Sequence, residues 1–146
     1  MSGIIKVINR SPHPLPMPAT AGAAGADVHA WLPEGPLLLA PSERVLVPTG
    51  LWMAIPAGCE VQLRPRSGLA LRHGITLLNS PATIDSDYRG ELQVLLIHHG
   101  QEPFWIEDGM RIAQLLLARL EPLAWEAVAA LPPSTRDAGG FGHTGA

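Results

Sequence analysis

Cys59-Glu-Val-Gln-Leu-Arg64 alternates apolar and polar residues without a break, and Pro65-Arg-Ser-Gly-Leu-Ala70 follows directly. A period of two sends Cys59, Val61 and Leu63 to one face and Glu60, Gln62 and Arg64 to the other, which is the signature of a half-buried strand. Proline then ends the strand. Ser67 to Arg72 has room for one or two helical turns, the only helix the chain predicts.

Outward from that stretch, the sequence keeps breaking into short pieces. Fifteen glycines and fifteen prolines in 146 residues leave little room for long helices. Ile4 to Ile8 reads as an opening strand. Ser11-Pro-His-Pro-Leu-Pro-Met-Pro18 is held extended by prolines that cannot donate to a ladder. Ala21-Gly-Ala-Ala-Gly-Ala26 is a small-residue loop leading into Asp27-Val-His-Ala-Trp31. Leu37 to Leu39, Arg44 to Val47 and Leu51 to Ile55 are apolar segments bounded by Gly and Pro, as in a meander. Ile75 to Leu78, Leu92 to His98 and Arg111 to Leu120 are the strongest apolar runs. The last two lack alternation, so strands buried on both faces are expected, with a buried helix as the competing reading of Arg111 to Leu120. The expected fold is all-β: a distorted jelly roll or β-barrel of short strands with one short helix. Residues 1–133 form the β domain, and residues 134–146 a flexible Gly-rich C-terminal arm.

Composition narrows the function. A formal net charge of −3 gives no electrostatic footprint for nucleic acid or an anionic membrane. No apolar run approaches a membrane span, and the N-terminus lacks a signal-peptide layout. The single cysteine, Cys59, excludes an intrachain disulfide and fits a reducing compartment, so a soluble cytoplasmic protein is expected. Of ten Lys and Arg residues only Lys6 is lysine. Arginine offers a planar fork that matches phosphate oxygens in pairs, although a GC-rich genome would also favour it.

Four polar constellations carry the chemistry. Arg64-Pro-Arg66-Ser67-Gly68 joins guanidinium groups, a hydroxyl and the N–H groups of a helix start, which together suit a phosphate; an ordinary Ser cap beside surface arginines is the other reading. Ala82-Thr83-Ile84-Asp85-Ser-Asp87-Tyr88-Arg89-Gly90 is a polar island between apolar strands. Asp85, at a strand end, can be held partly dry and take a proton from an attacking water; a metal site or a plain Asx turn remain open. Gln114, inside Ile112-Ala-Gln-Leu-Leu-Leu117, needs a polar partner if buried, either backbone or ligand. The tail Arg136-Asp-Ala-Gly-Gly-Phe141-Gly142-His143-Thr144-Gly145 sets one aromatic and one arginine in a flexible strap, which could close over a base and its phosphates or remain a disordered end. His13, His29, His73, His98 and His99 show no metal-ligand spacing, and Trp31, Trp52, Trp105 and Trp125 read as core or subunit-contact residues.

In order and spacing, these segments resemble the five motifs of the trimeric dUTPase family. They are Ala24-Gly-Ala-Asp27-Val28, Pro65 through Ala70, Asn79 through Gly90, Gly109-Met-Arg-Ile-Ala-Gln114 and Arg136 through Gly145, with Val47-Pro-Thr-Gly-Leu51 also similar. The resemblance implies hydrolysis of dUTP to dUMP and pyrophosphate with Mg²⁺, an activity that would limit uracil in DNA and supply dUMP for dTMP synthesis. It makes Asp85 the base that activates water against the α-phosphorus. It sets Tyr88 under the deoxyribose and Asn79, with the hairpin backbone at Thr83 and Ile84, on the uracil edge. Ser67 and Gln114, beside Arg66 and Gly68, would hold the triphosphate, and Asp27 a metal-bound water. Phe141 would stack on uracil, with Arg136, Gly142, His143 and Thr144 at the phosphates, and a homotrimer would share its three sites.

Three residues depart from the family pattern: Ala82 for glycine, Asp137 for glycine and His143 for serine. The alternatives are a dCTP deaminase, which would carry an Arg-Ser-Ser type segment where this chain has Arg66-Ser67-Gly68, and a non-catalytic nucleotide-binding regulatory trimer.

Overall fold

The structure is a computed structural model, and it describes residues 3–140. Ten strands and one helix follow in chain order: β1 (Lys6–Asn9), β2 (Ala26–His29), β3 (Leu37–Leu39), β4 (Arg44–Ala54), β5 (Cys59–Arg64), α1 (Ser67–His73), β6 (Ile75–Leu77), β7 (Ala82–Ile84), β8 (Glu91–His98), β9 (Phe104–Ile106) and β10 (Arg111–Arg119). They form two four-stranded sheets, ordered β1-β4-β8-β6 and β2-β10-β5-β7, and a small β3-β9 ribbon. Every strand pairing is antiparallel. The result is the distorted jelly roll that the short alternating segments call for, with open sheets and no closed barrel among the described residues.

One core joins the sheets. Val28, Val61, Leu63 and Ala113 from one sheet and Val47, Val94, Leu96 and Ile75 from the other belong to a single buried cluster. The period-two reading of β5 holds: Cys59, Val61 and Leu63 are buried, and Arg64 is exposed. The outward row is tied along its length. Gln62 donates to Glu60 Oε1 at 2.6 Å, and Arg64 Nη2 donates to Gln62 Oε1 at 2.7 Å.

Several segments differ from their sequence readings. Arg44–Val47 and Leu51–Ile55, read as two pieces, belong largely to one strand, β4, with a register shift between Pro48 and Trp52. Gly50 sits in that shift with φ 71°, a conformation glycine adopts without a Cβ penalty. β8 alternates buried and partly exposed positions, although its sequence is continuously apolar from Val94 to Ile97. β10 is a strand, not a helix; Ile112 and Ala113 are buried, whereas Leu115, Leu116 and Leu117 are only partly covered. Neither strand is buried on both faces within one chain, so their outward apolar rows stand free. Trp125 is 89% exposed and Trp105 54%, so these two are surface residues of the single chain, not core.

α1 is short and buries only Leu69. It ends at Gly74, whose φ of 67° is the left-handed cap that glycine provides most readily. Regular structure stops at Arg119, and residues 120–138 are exposed. The boundary read at residues 133 and 134 coincides with no change of structure among the described residues.

Candidate active site

Two polar pockets gather the residues singled out above. The first, of about 190 Å³, is lined by Asp27, Arg66, Ser67, Gly68 and Gln114. Strand register explains why they meet. Asp27 on β2 pairs with Gln114 on β10, and Gln114 pairs in turn with Arg64 at the end of β5. Pro65 then turns the chain, and α1 begins beside the same rung.

Ser67 is not a cap here. Arg66 occupies the N-cap position with extended backbone, and no side chain caps the helix. The Arg66 side chain instead reaches sideways to β2. Its Nε donates to Asp27 Oδ1 at 3.0 Å, and Arg111 Nη1 donates to Asp27 Oδ2 at 3.2 Å. Both carboxylate oxygens of Asp27 are therefore engaged by guanidinium groups. Gln114 has the backbone partner that its partial burial calls for: its Nε2 donates to the Pro65 carbonyl at 3.0 Å, and the residue also lines the pocket.

The second pocket, of about 230 Å³, is lined by Thr83, Ile84, Asp85 and Tyr88, with Glu91 and neighbouring β4 and β8 side chains. Asp85 follows β7 directly, and the Tyr88 N–H donates to its carbonyl at 3.2 Å. The segment is thus a turn closed by main-chain atoms, and Asp85 and Tyr88 both line the pocket beside it. Among the described residues Asp85 is exposed, not partly dry. The Tyr88 ring lies against Gly90, where any Cβ would overlap it, and its hydroxyl donates to the Glu91 carbonyl at 3.0 Å.

Other site residues stand apart. Asn79 is exposed in the turn between β6 and β7 and lies outside the lining of the Asp85 pocket. Ala82 is buried in the core, so its methyl points inward rather than toward a ligand. Arg136 lies on the exposed C-terminal segment, and its Nε donates to Gly139 O at 2.7 Å. Asp137 adopts φ 44°, a left-handed turn that its short polar side chain tolerates where glycine would be unstrained. Phe141, Gly142, His143 and Thr144 lie outside the described residues.

The two pockets share no lining residue. The first spans β2, β10 and the turn after β5, whereas the second joins β7 and its following turn to β4 and β8 of the other sheet. β7 also runs so that Asp85 leads away from Arg64: Ala82 pairs with Leu63, and Ile84 with Val61.

Sequence reasoning missed Arg111 and Gly25. Arg111 lay inside a quoted motif, but nothing in the sequence ties it to Asp27, 84 positions away. The space at Gly25 is taken by the Gln114 amide, a contact that appears only when β10 lies beside β2.

Two electrostatic shifts lie nearby. The Leu32 N–H bond, at 2.7 Å, and then the His13 ring, at 3.0 Å, hold Asp108 below its ordinary carboxylate value. Burial, and then the adjacent His13, holds His29 below its ordinary value.

Arginines, a serine and an amide in one pocket, with a carboxylate and a tyrosine in the other, make up the candidate site of a jelly-roll protein. The chain belongs to the dUTPase family, whose family model matches residues 11–145. It is 58% identical over 132 residues to a deoxyuridine 5'-triphosphate nucleotidohydrolase of Roseobacter denitrificans, covering 90% of this chain and 87% of the relative. Among solved structures, the dUTPase of Staphylococcus bacteriophage 80alpha with dUPNHPP aligns with a TM-score of 0.85 at 22% identity, covering 98% of this chain and 99% of that one. A mutant dUTPase from phage phi11 of S. aureus, described with a structural Mg(II) ion, aligns with a TM-score of 0.77 at 18% identity over 89% of this chain and 99% of that one. At those identities the structural likeness establishes the fold.

Proposed function

We propose that this protein hydrolyses dUTP to dUMP and pyrophosphate by attack of water on the α-phosphorus. The observation that carries this reading is the grouping of Thr83, Ile84, Asp85 and Tyr88 in one pocket of a chain that belongs to the dUTPase family. In that pocket Asp85 orients the water and takes its proton. Tyr88 supports the deoxyribose, and the β7 backbone at Thr83 and Ile84, with Asn79, reads the uracil edge. Ser67, Gly68, Arg66 and Gln114 hold the triphosphate oxygens. Phe141 closes over the base, while Arg136, Gly142, His143 and Thr144 grip the phosphates, which makes residues 134–146 the closing arm.

A positioned base contributes roughly 10²–10⁴-fold, against totals of about 10⁶–10¹⁷-fold for enzymes. Asp85 therefore supplies a minor share, and oriented donors and positive charge supply the rest.

The donor set fits Mg²⁺ carried by the substrate better than a metal cage in the protein. Both Asp27 oxygens already accept arginine hydrogen bonds, and no group of three or more metal-binding side chains occurs among the described residues. Asp27 suits a contact through a metal-bound water, since Mg²⁺ keeps several waters when it bridges phosphates. The bound ion would neutralise charge on the triphosphate during attack.

A homotrimer with shared sites is part of the same proposal. The two pockets share no lining residue, and β7 carries Asp85 away from Arg64, which supports a site assembled from two copies. Leu123 and Leu131 are each 84% exposed, and Trp125 more so, on a segment with no cover of its own. Apolar area of this kind gains about 25 cal/mol per Å² when a neighbouring copy removes it from water. The cytoplasm is the proposed compartment, supported by a lone, unpaired, buried Cys59.

Pyrophosphate release measured across dUTP, dTTP, dCTP and UTP tests the reading. Release from dUTP, strongly preferred over the other three, is expected. Ammonia from dCTP without pyrophosphate would identify a deaminase instead, and tight dUTP binding without turnover a regulatory protein.

A further inference from the structure

Val47-Pro-Thr-Gly-Leu51 contributes nothing to the reaction as described, yet it is built with unusual care. It forms the bulge where β4 and β8 lose register, between the pairs Pro48↔Gln93 and Trp52↔Glu91. Bulged residues lose their ladder partners and need substitutes. Thr49, 2% exposed, donates Oγ1–H to the Leu92 carbonyl at 2.6 Å and accepts the Leu51 N–H at 3.3 Å. The Gly50 N–H is taken by Glu91 Oε1 at 2.8 Å. Gly50 itself cannot carry a side chain, since a Cβ would meet Trp31 at 2.8 Å and Ser11 at 2.9 Å.

Glu91 is also the residue on which the Tyr88 hydroxyl rests, through its main-chain carbonyl at 3.0 Å. The other support of that ring is Gly90, which has no room for a Cβ beneath it. Hence the side chain of Glu91 anchors to the β4 bulge, its carbonyl anchors the tyrosine, and Thr49 fixes the next residue along. Glu91 and Tyr88 line the same pocket as Asp85.

We propose that the Thr49–Glu91 brace is the positioning device for the Tyr88 ring, and that it thereby sets how strictly the site discriminates deoxyribose from ribose. This rests on the reading that Tyr88 lies under the sugar. Glu91 acts through Tyr88 and is a positioning residue. Its carboxylate serves as a hydrogen-bond acceptor, a task that a glutamine Oε1 can also perform.

The test is the ratio of kcat/KM for dUTP over UTP, measured by pyrophosphate release on the full-length protein, with Tyr88→Ala as reference. Glu91→Ala is expected to lower the ratio about ten-fold or more, chiefly through KM, and Glu91→Gln to stay within about two-fold of the parent. A purely structural role would lower activity on both nucleotides and leave the ratio intact. Should Glu91→Ala fail to fold, Thr49→Ser and Thr49→Val provide the same contrast: the serine keeps the hydroxyl and the ratio, the valine loses both. An unchanged ratio in Glu91→Ala, or equal ratios in the two Thr49 variants, while Tyr88→Ala loses discrimination, overturns the brace. If Tyr88→Ala itself keeps the ratio, the sugar reading is wrong and the brace falls with it.

Discussion

The amide of Gln114 occupies the space that a side chain on Gly25 would need. A Cβ at position 25 would overlap Gln114 Oε1 and come within 2.9 Å of its Cδ. Gly25 precedes β2, and Gln114 is held from the other side by the Pro65 carbonyl, so the amide can yield only by giving up that bond and turning into the pocket. The backbone of Gly25 lies outside the left-handed region, which makes contact with Gln114 the reason for glycine there.

Gly25→Ala is therefore expected to act through Gln114. Steady-state kinetics on dUTP should show kcat/KM falling about ten- to hundred-fold, the range for a displaced oriented donor. The double variant Gly25→Ala with Gln114→Ala should be no worse than Gln114→Ala alone, because the clash partner is gone. Additive losses would show that Gly25 matters for another reason.

Asp85→Asn should reduce turnover by about 10²–10⁴-fold while dUTP still binds. Among the described residues the exposed carboxylate has no hydrogen-bond partner whose loss would unfold the segment, since the turn is closed by the Tyr88 N–H to the Asp85 carbonyl. Single-turnover kinetics and calorimetric titration with dUPNHPP separate the two effects. Near-normal turnover would remove Asp85 from its assigned role.

Truncation after Pro133 should leave folding intact and activity about 10²–10³-fold lower. Arg136 makes its side-chain hydrogen bond to Gly139, within the same arm, and so supports no part of the β core. Sedimentation and thermal melting of the truncated protein should match the parent. Full activity without the arm would exclude it from the site.

Acid should soften the protein in two stages. His29 is held below its ordinary value of 6.5 by burial and by His13, so the folded state favours its neutral form. The stability this gives is complete above about pH 6.5 and is lost as pH falls through the lowered folded value. Asp108 is held below 3.8 by the Leu32 N–H and by His13, so its contribution survives until the pH drops under about 4. Thermal melts from pH 8 to pH 3 should show both declines, and His29→Gln should flatten the first alone. An unaltered first decline in that variant would assign it to another group.

The sequence by itself determined what depends on neighbours along the chain. Alternation at Cys59 to Arg64 set the strand and its buried face, and Ser67 to Arg72 set the single helix, because period and turn chemistry are local. Motif order was equally legible, since it needs no geometry. Tertiary structure alone decided which distant groups meet. Asp27 is clamped by Arg66 and Arg111 because β10 lies between β2 and β5, an arrangement no local period encodes. The Asp85 pocket and the Ser67–Gln114 pocket share no lining residue, a separation that motif order along the chain does not encode. Burial of β8 and β10 was misread for a related reason: an apolar row shows that a face avoids water, not whether its own chain covers it.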